Sequence, residues 1–155
     1  MPADPPSAAP GSVLFACNFN RVRSAMAEGL IKLMYGTQVY VDSCGLRRDE
    51  GGEPDPFVIA VMEELGADMS RHRAKTFDEL EDDSFDLVVS LTPEAQHRAV
   101  EIARGHAVEL AYWPTPDPTL VMGSREAVMD AYREARDALA ARIRERFGKP
   151  LTFGG

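Results

Sequence analysis

The sequence predicts an α/β protein of three layers, with helices covering both faces of a parallel sheet. Short apolar runs lacking 3.6-residue periodicity alternate along the chain with segments whose apolar residues recur at helical spacing. Strands that alternate with helices close as right-handed crossovers, which make the strands parallel and bury the sheet on both sides. At 155 residues the chain has the commonest single-domain size, enough to bury one core and too short to divide comfortably into two.

The opening segment is Pro- and Ala-rich and has neither the basic start nor the apolar run of a signal peptide, so residues 1–11 read as a disordered tail. Ser12–Ala16 is a short apolar run without helical periodicity, the mark of a strand buried on both faces, and similar runs recur at Gln38–Asp42, Phe85–Leu91 and Ala107–Trp113. Helices are expected over Ser24–Tyr35, over Phe57–Leu65 with Val58, Val61, Met62 and Leu65 on one face, and over Pro93–Arg104. The last helix runs from Ser124, an N-cap residue type, to Phe147 and ends at Gly148. Its stripe of Val128, Tyr132, Ala135, Leu139, Ile143 and Phe147 is suited to pack on the sheet, and Trp113 to pack at a strand end. One domain over residues 12–150, of flavodoxin-like or related architecture, followed by a short tail at 151–155, accounts for the pattern.

Composition narrows the function. A formal charge of -8 with no long Lys/Arg run excludes nucleic acid as a partner. No stretch approaches the ~20 apolar residues of a membrane span. Two cysteines, Cys17 and Cys44, fit a reducing compartment, and the cytoplasm is the expected location. The acidic stretch Asp78–Asp83 reads as a solvated surface, and His72, His97 and His106 show no metal-ligand spacing, so no metal site is expected and these histidines are assigned to surface or packing.

Ligands of such sheets sit beyond the carboxyl ends of the strands, which directs attention to the first strand-to-helix turn. That turn reads Cys17-Asn18-Phe19-Asn20-Arg21-Val22-Arg23-Ser24. Loop N–H groups can curl into an anion nest, and the first turn of the following helix adds donors and a positive dipole end. Arg23 supplies a planar fork for two phosphoryl oxygens. The same field favours the thiolate of Cys17, to which the Ser24 hydroxyl can donate.

Val13 to Cys17, then Asn20, then Arg23-Ser24-Ala25-Met26-Ala27-Glu28 resembles the signature of low-molecular-weight protein tyrosine phosphatases and the related arsenate reductases. The likeness continues through Val41-Asp42-Ser43, Pro54-Asp55-Pro56, Leu65 to Ala74, Phe85 to Val88 and Asp117-Pro118. It implies four parallel strands, no cofactor, and hydrolysis of a phosphorylated protein or small phosphomonoester through a cysteinyl-phosphate, with inorganic phosphate as product or inhibitor. By the same resemblance Cys17 is the nucleophile, Arg23 the phosphate clamp and Asp117 the general acid, with Asn20 and Ser43 bracing the loop. An acid is needed because an alkoxide or phenoxide leaves poorly at neutral pH unless protonated.

The chain departs from the family pattern at Phe19, where Gly is usual, and at Val22, where Cys is usual. The aromatic pair that normally follows Asp-Pro is replaced by Thr119 and Leu120. Cys44 is then the remaining thiol that can serve as a redox partner, as an arsenate reductase requires. Arg21, Arg47 and Arg48 are expected to gather a local positive field at the mouth. A non-catalytic phosphate-binding module is a further alternative.

Overall fold

The computed structural model describes residues 9–49, 52–82 and 84–150. Four strands, β1 (Ser12–Cys17), β2 (Tyr40–Gly45), β3 (Leu87–Ser90) and β4 (Glu109–Tyr112), form one parallel sheet in the order β2-β1-β3-β4. The helices are α1 (Arg23–Tyr35), α2 (Pro56–Glu63), α3 (Pro93–Ala103) and α4 (Arg125–Phe147), with short 3-10 turns at Gly36–Gln38, Phe77–Glu79 and Pro118–Leu120. This is the expected three-layer α/β arrangement.

Alternation along β1 sorts the core into two halves. Val13, Phe15 and Cys17 face the layer of α1, α2 and α4, together with Leu30, Val61 and Ile143. Leu14 and Ala16 face the other side, with Cys44, Phe85 and Ala95 of α3. The two inner strands read as continuous apolar runs because both faces are covered, whereas β4, at the edge, is only half-buried, unlike the fully buried strand its composition suggests. The second strand also lies later than its apolar run predicts. Gly36–Gln38 makes a helical turn, and in-register pairing from Ser12↔Tyr40 to Cys17↔Gly45 carries the strand on to Gly45. Its partner's length, not its own composition, decides where it stops.

Helix boundaries follow local chemistry. Asp55 caps α2 by accepting from the N–H groups of Phe57 and Val58, with Pro56 at the first turn, while Thr92 and Ser124 cap α3 and α4 in the same way. Asp55 also accepts at 3.0 Å from the buried Tyr132 hydroxyl of α4, tying α2 to the last helix. Trp113 packs on Phe15, with ring centroids 6.0 Å apart. Of the expected tail, residues 1–8 lie outside the described residues, as do 151–155. Pairing starts before Ser12, however: Gly11 donates to Asp86 and accepts from Tyr40. No helix among the described residues is long and apolar enough to cross a membrane.

Candidate active site

Cys17 is the last residue of β1, and the chain then turns through Asn18–Val22 into α1. Asn20 takes φ 58°, the only left-handed non-glycine residue among the described ones. The position that needs this conformation is therefore occupied by Asn, which tolerates it, and Phe19 is accommodated in place of Gly without a positive φ. Gly45, at the end of the neighbouring strand, lets the loop lie flush against the sheet. A Cβ there would sit 2.6 Å from the Phe19 carbonyl carbon and 2.7 Å from the Asn20 nitrogen. The N–H groups of Leu46 and Arg47 hold the Asn18 carbonyl, at 2.8 and 3.1 Å.

The loop's own amides are left open. No backbone N–H from Asn18 to Val22 has a hydrogen-bond partner among the described residues, although Asn20 and Val22 are buried. Buried N–H groups are almost always paired, so these unpaired loop donors, next in sequence to Cys17, are free to donate to a ligand's oxygens.

Beneath it lies a closed polar network. Asn20 Nδ2 donates to Ser24 Oγ and to Ser43 Oγ, each at 2.8 Å, and Asn20 Oδ1 accepts from the Lys75 N–H at 3.0 Å. Ser43 in turn donates to Glu28 at 2.5 Å. Ser24 Oγ lies 2.9 Å from Cys17 Sγ and 3.5 Å from the Cys44 carbonyl. The Asn20 amide occupies one lone pair of that hydroxyl, which leaves it one lone pair and its proton to share between the sulfur and the Cys44 carbonyl. The structure thus brings Cys17, Asn20, Ser24 and Ser43 together.

Arg23, the first residue of α1, donates to the Thr115 carbonyl at 2.9 Å and lies 3.7 Å from Asp117 Oδ2. Asp117 is in turn fixed by Thr119, whose N–H and hydroxyl both donate to Oδ1, at 2.9 and 2.6 Å. One carboxylate oxygen is tied into its own turn and the other points at the guanidinium. Pro116 and Pro118 stiffen this loop by fixing their own φ. Beyond it Leu120, one of the two residues that follow Asp117-Pro118, stands exposed, as does Met122.

Three expectations change. Cys44 pairs in register with Ala16 and faces the α3 side of the sheet, whereas Cys17 faces α1. A disulfide between them would have to pass through the strand backbone, and burial raises the Cys44 thiol well above its ordinary range, with the nearby Cys17 and Asp42 adding to the shift. The anticipated positive field is largely matched by opposite charge or ring contact. Arg21 bonds the Glu53 carbonyl and Asp49, Arg48 pairs with Glu79, and Arg47 lies over the Phe19 ring, 5.5 Å from its centroid. Finally, His72 is not a bystander: its Nε2 is 2.8 Å from the Asn20 carbonyl.

His72, Lys75, Thr92 and Gly45 all hold the loop, and sequence reasoning passed over them in that role. Thr92 donates to the Asn18 side chain at 2.7 Å while capping α3. In sequence it reads only as a helix cap before Pro93. For Gly45 the usable signal was a glycine directly after Cys44 at a strand end, a place of close backbone approach.

Comparison with known proteins identifies the family. The chain is 39% identical over 79 residues to the glutaredoxin arsenate reductase of Synechocystis, a match spanning 51% of this chain and 58% of that protein. It is 32% identical over 132 residues to an arsenate reductase of Halalkalibacterium halodurans, covering 85% of this chain and 91% of the relative. Among solved structures, the low molecular weight protein tyrosine phosphatase from T. tengcongensis superimposes with a TM-score of 0.70 at 25% identity, covering 85% of this chain and 94% of that one. Residues 12–148, from the first strand to the glycine that ends α4, match the low molecular weight phosphotyrosine protein phosphatases, and the chain belongs to that family.

Proposed function

We propose that the chain is a cysteine-dependent phosphomonoester hydrolase that acts through a cysteinyl-phosphate. The observation that carries this reading is that Cys17 Sγ, 2.9 Å from Ser24 Oγ, opens a loop whose N–H groups from Asn18 to Val22 have no hydrogen-bond partner among the described residues and which runs directly into Arg23 at the start of α1. Phosphoryl transfer asks for little covalent chemistry from the protein beyond a nucleophile. Its main needs are fixed donors for the equatorial oxygens and in-line placement. In the first step Cys17 Sγ bonds to phosphorus as the bond to the leaving oxygen breaks, and Asp117 gives that oxygen its proton. In the second, Asp117 takes a proton from water, the water oxygen bonds to phosphorus, and the sulfur–phosphorus bond breaks. The Ser24 hydroxyl, 2.9 Å from the sulfur, can donate to it as the thiolate forms and departs. Arg23, now spanning Thr115 and Asp117, offers its remaining donors to the phosphoryl group. Its proximity to Asp117 also couples the clamp to the acid.

The substrate is a phosphorylated protein or a small phosphomonoester. With Leu120 in place of an aromatic wall, stacking on a phenyl ring is not the basis of selection, and aliphatic esters are expected to compete well with aryl ones. Hydrolysis of p-nitrophenyl phosphate tests the reading directly. Cys17→Ser is expected to lower kcat by more than ~1000-fold, and a serine variant of full activity overturns it. Asp117→Asn is expected to lower kcat by about 10²–10⁴-fold, most for leaving groups of high pKa. Equal losses across a leaving-group series would remove Asp117 from the role of acid.

Arsenate reduction is the second reading, favoured by the names of the relatives. It requires two electrons from thiols after Cys17 has captured arsenate. With Cys44 on the opposite face of the sheet, the reducing thiol would have to come from outside the chain. Mass spectrometry after arsenate treatment is expected to find no Cys17–Cys44 disulfide, and arsenite release only when an external thiol is supplied.

A further inference from the structure

Beside the second and third turns of α1 lies a cleft of about 520 Å³. Its floor is the buried pair Gly29 and Met69, which approach so closely that a Cβ on Gly29 would meet the Met69 sulfur at 2.6 Å. On a chain of net charge -8 this cleft gathers Lys32, Arg71, Arg73 and Lys75 against only Glu28 and Asp68. Most of these charges are already matched. Lys32 pairs with Glu28 and Lys75 with Asp42, each at 2.6 Å, and the Asp68 carboxylate accepts from the N–H and hydroxyl of Ser70. Arg71 and Arg73 have neither an ion pair nor a hydrogen bond among the described residues, and both are exposed at the cleft.

We propose that this cleft binds a small organic polyanion, a metabolite bearing paired phosphate or carboxylate groups, and that its occupancy is felt at Cys17. Two guanidinium forks two residues apart repel each other when empty and match two oxyanion groups when filled. The volume falls in the range of metabolite sites, and the glycine and methionine floor offers an apolar seat for the carbon skeleton.

Coupling follows from what else lines the cleft. His72, between the two arginines, bonds the Asn20 carbonyl at 2.8 Å, and the Lys75 N–H bonds the Asn20 side chain. Glu28 holds Ser43, which accepts from the same Asn20 side chain. Two cleft residues therefore hold the left-handed Asn20 directly and a third reaches it through Ser43, and Asn20 holds the Ser24 hydroxyl that touches the Cys17 sulfur. An anion bridging Arg71 and Arg73 fixes the segment carrying His72 and Lys75 and firms that brace, so the nest beside Cys17 binds its own oxyanion more tightly.

The test uses binding alone, so it stands or falls separately from the hydrolytic reading. Pyrophosphate and citrate are each titrated by calorimetry into the full chain saturated with tungstate, which occupies the Cys17 loop. Saturable binding of at least one is expected. Pyrophosphate alone points to a phosphorylated metabolite and citrate alone to a polycarboxylate. Arg71→Gln with Arg73→Gln, checked for folding by circular dichroism, is expected to weaken that binding at least about 10-fold. Linkage is reciprocal, so tungstate should bind the wild-type chain about 5-fold tighter or more when the cleft ligand is present. Failure of both ligands to bind, or undiminished binding by the double variant, overturns the site. An unchanged tungstate affinity overturns the coupling.

Discussion

Cys17 and Cys44 sit one register step apart at the ends of neighbouring strands, and their surroundings could hardly differ more. Cys17 touches the Ser24 hydroxyl at 2.9 Å and opens a loop whose N–H groups from Asn18 to Val22 have no partner among the described residues, with Arg23 next in the chain. Around Cys44 are Leu14, Ala16, Phe85 and Ala95, and burial holds its thiol protonated. A one-residue step along a strand reverses the face to which a side chain points, and here it separates a sulfur that touches the loop's Ser24 hydroxyl from one packed among apolar side chains on the other face. Proximity in sequence or across a sheet is therefore a poor guide to thiol partnership. Face decides it.

The contrast can be broken most directly by alkylation. With iodoacetamide at neutral pH, Cys44 is expected to react at least about 100-fold more slowly than Cys17, because burial raises the Cys44 thiol well above its ordinary range and reactivity follows thiolate fraction. Equal rates by peptide mass spectrometry would erase the distinction. Gly45→Ala sharpens it from the other side: the added methyl would lie 2.6 Å from the Phe19 carbonyl carbon and 2.9 Å from the Asn18 oxygen, displacing the loop while leaving both sulfurs in place. Displacements near 1 Å cost about 100-fold in well-placed sites, so kcat/KM should fall by about that factor. If activity is kept, flush packing of loop on strand is not what places the nest.

The smallest effect lies far from both cysteines. Glu64 is hydrogen-bonded by Arg133 and Arg136, which hold its carboxyl at about 2, below the ordinary 4.5. A folded-state value below the unfolded one adds stability that is complete above the unfolded value and is lost as pH falls through the folded one. Glu64→Gln should therefore lower Tm slightly at neutral pH and flatten its fall between pH 4.5 and 2, as read by thermal melts. An identical acid slope in the variant would show that the pair is a surface contact of no consequence.

Much of the site was legible in the sequence because its chemistry is local. Cys17, Asn20, Arg23 and Ser24 fall within eight consecutive residues. The left-handed turn at Asn20 and the sulfur contact of Ser24 follow from loop geometry that the spacing already implies. The last helix was equally readable, since its stripe and both ends rest on side chains within the segment. What reaches Asn20 from residues 43, 72 and 75 was not readable in the same way. Ser43 entered only through resemblance, and His72 and Lys75 were passed over, because no local pattern marks a residue that acts by touching a loop more than 50 positions away.

The order of elements, the phosphate-loop motif and the helix ends were determined by the chain itself, since propensity, capping and alternation act over a few residues. Tertiary structure decided which face each cysteine occupies, where the second strand ends, which arginines are matched by carboxylates and which residues hold Asn20. Each of these depends on pairing register and packing between segments distant in sequence. Those are set by the whole sheet closing at once, and no short window of residues contains them.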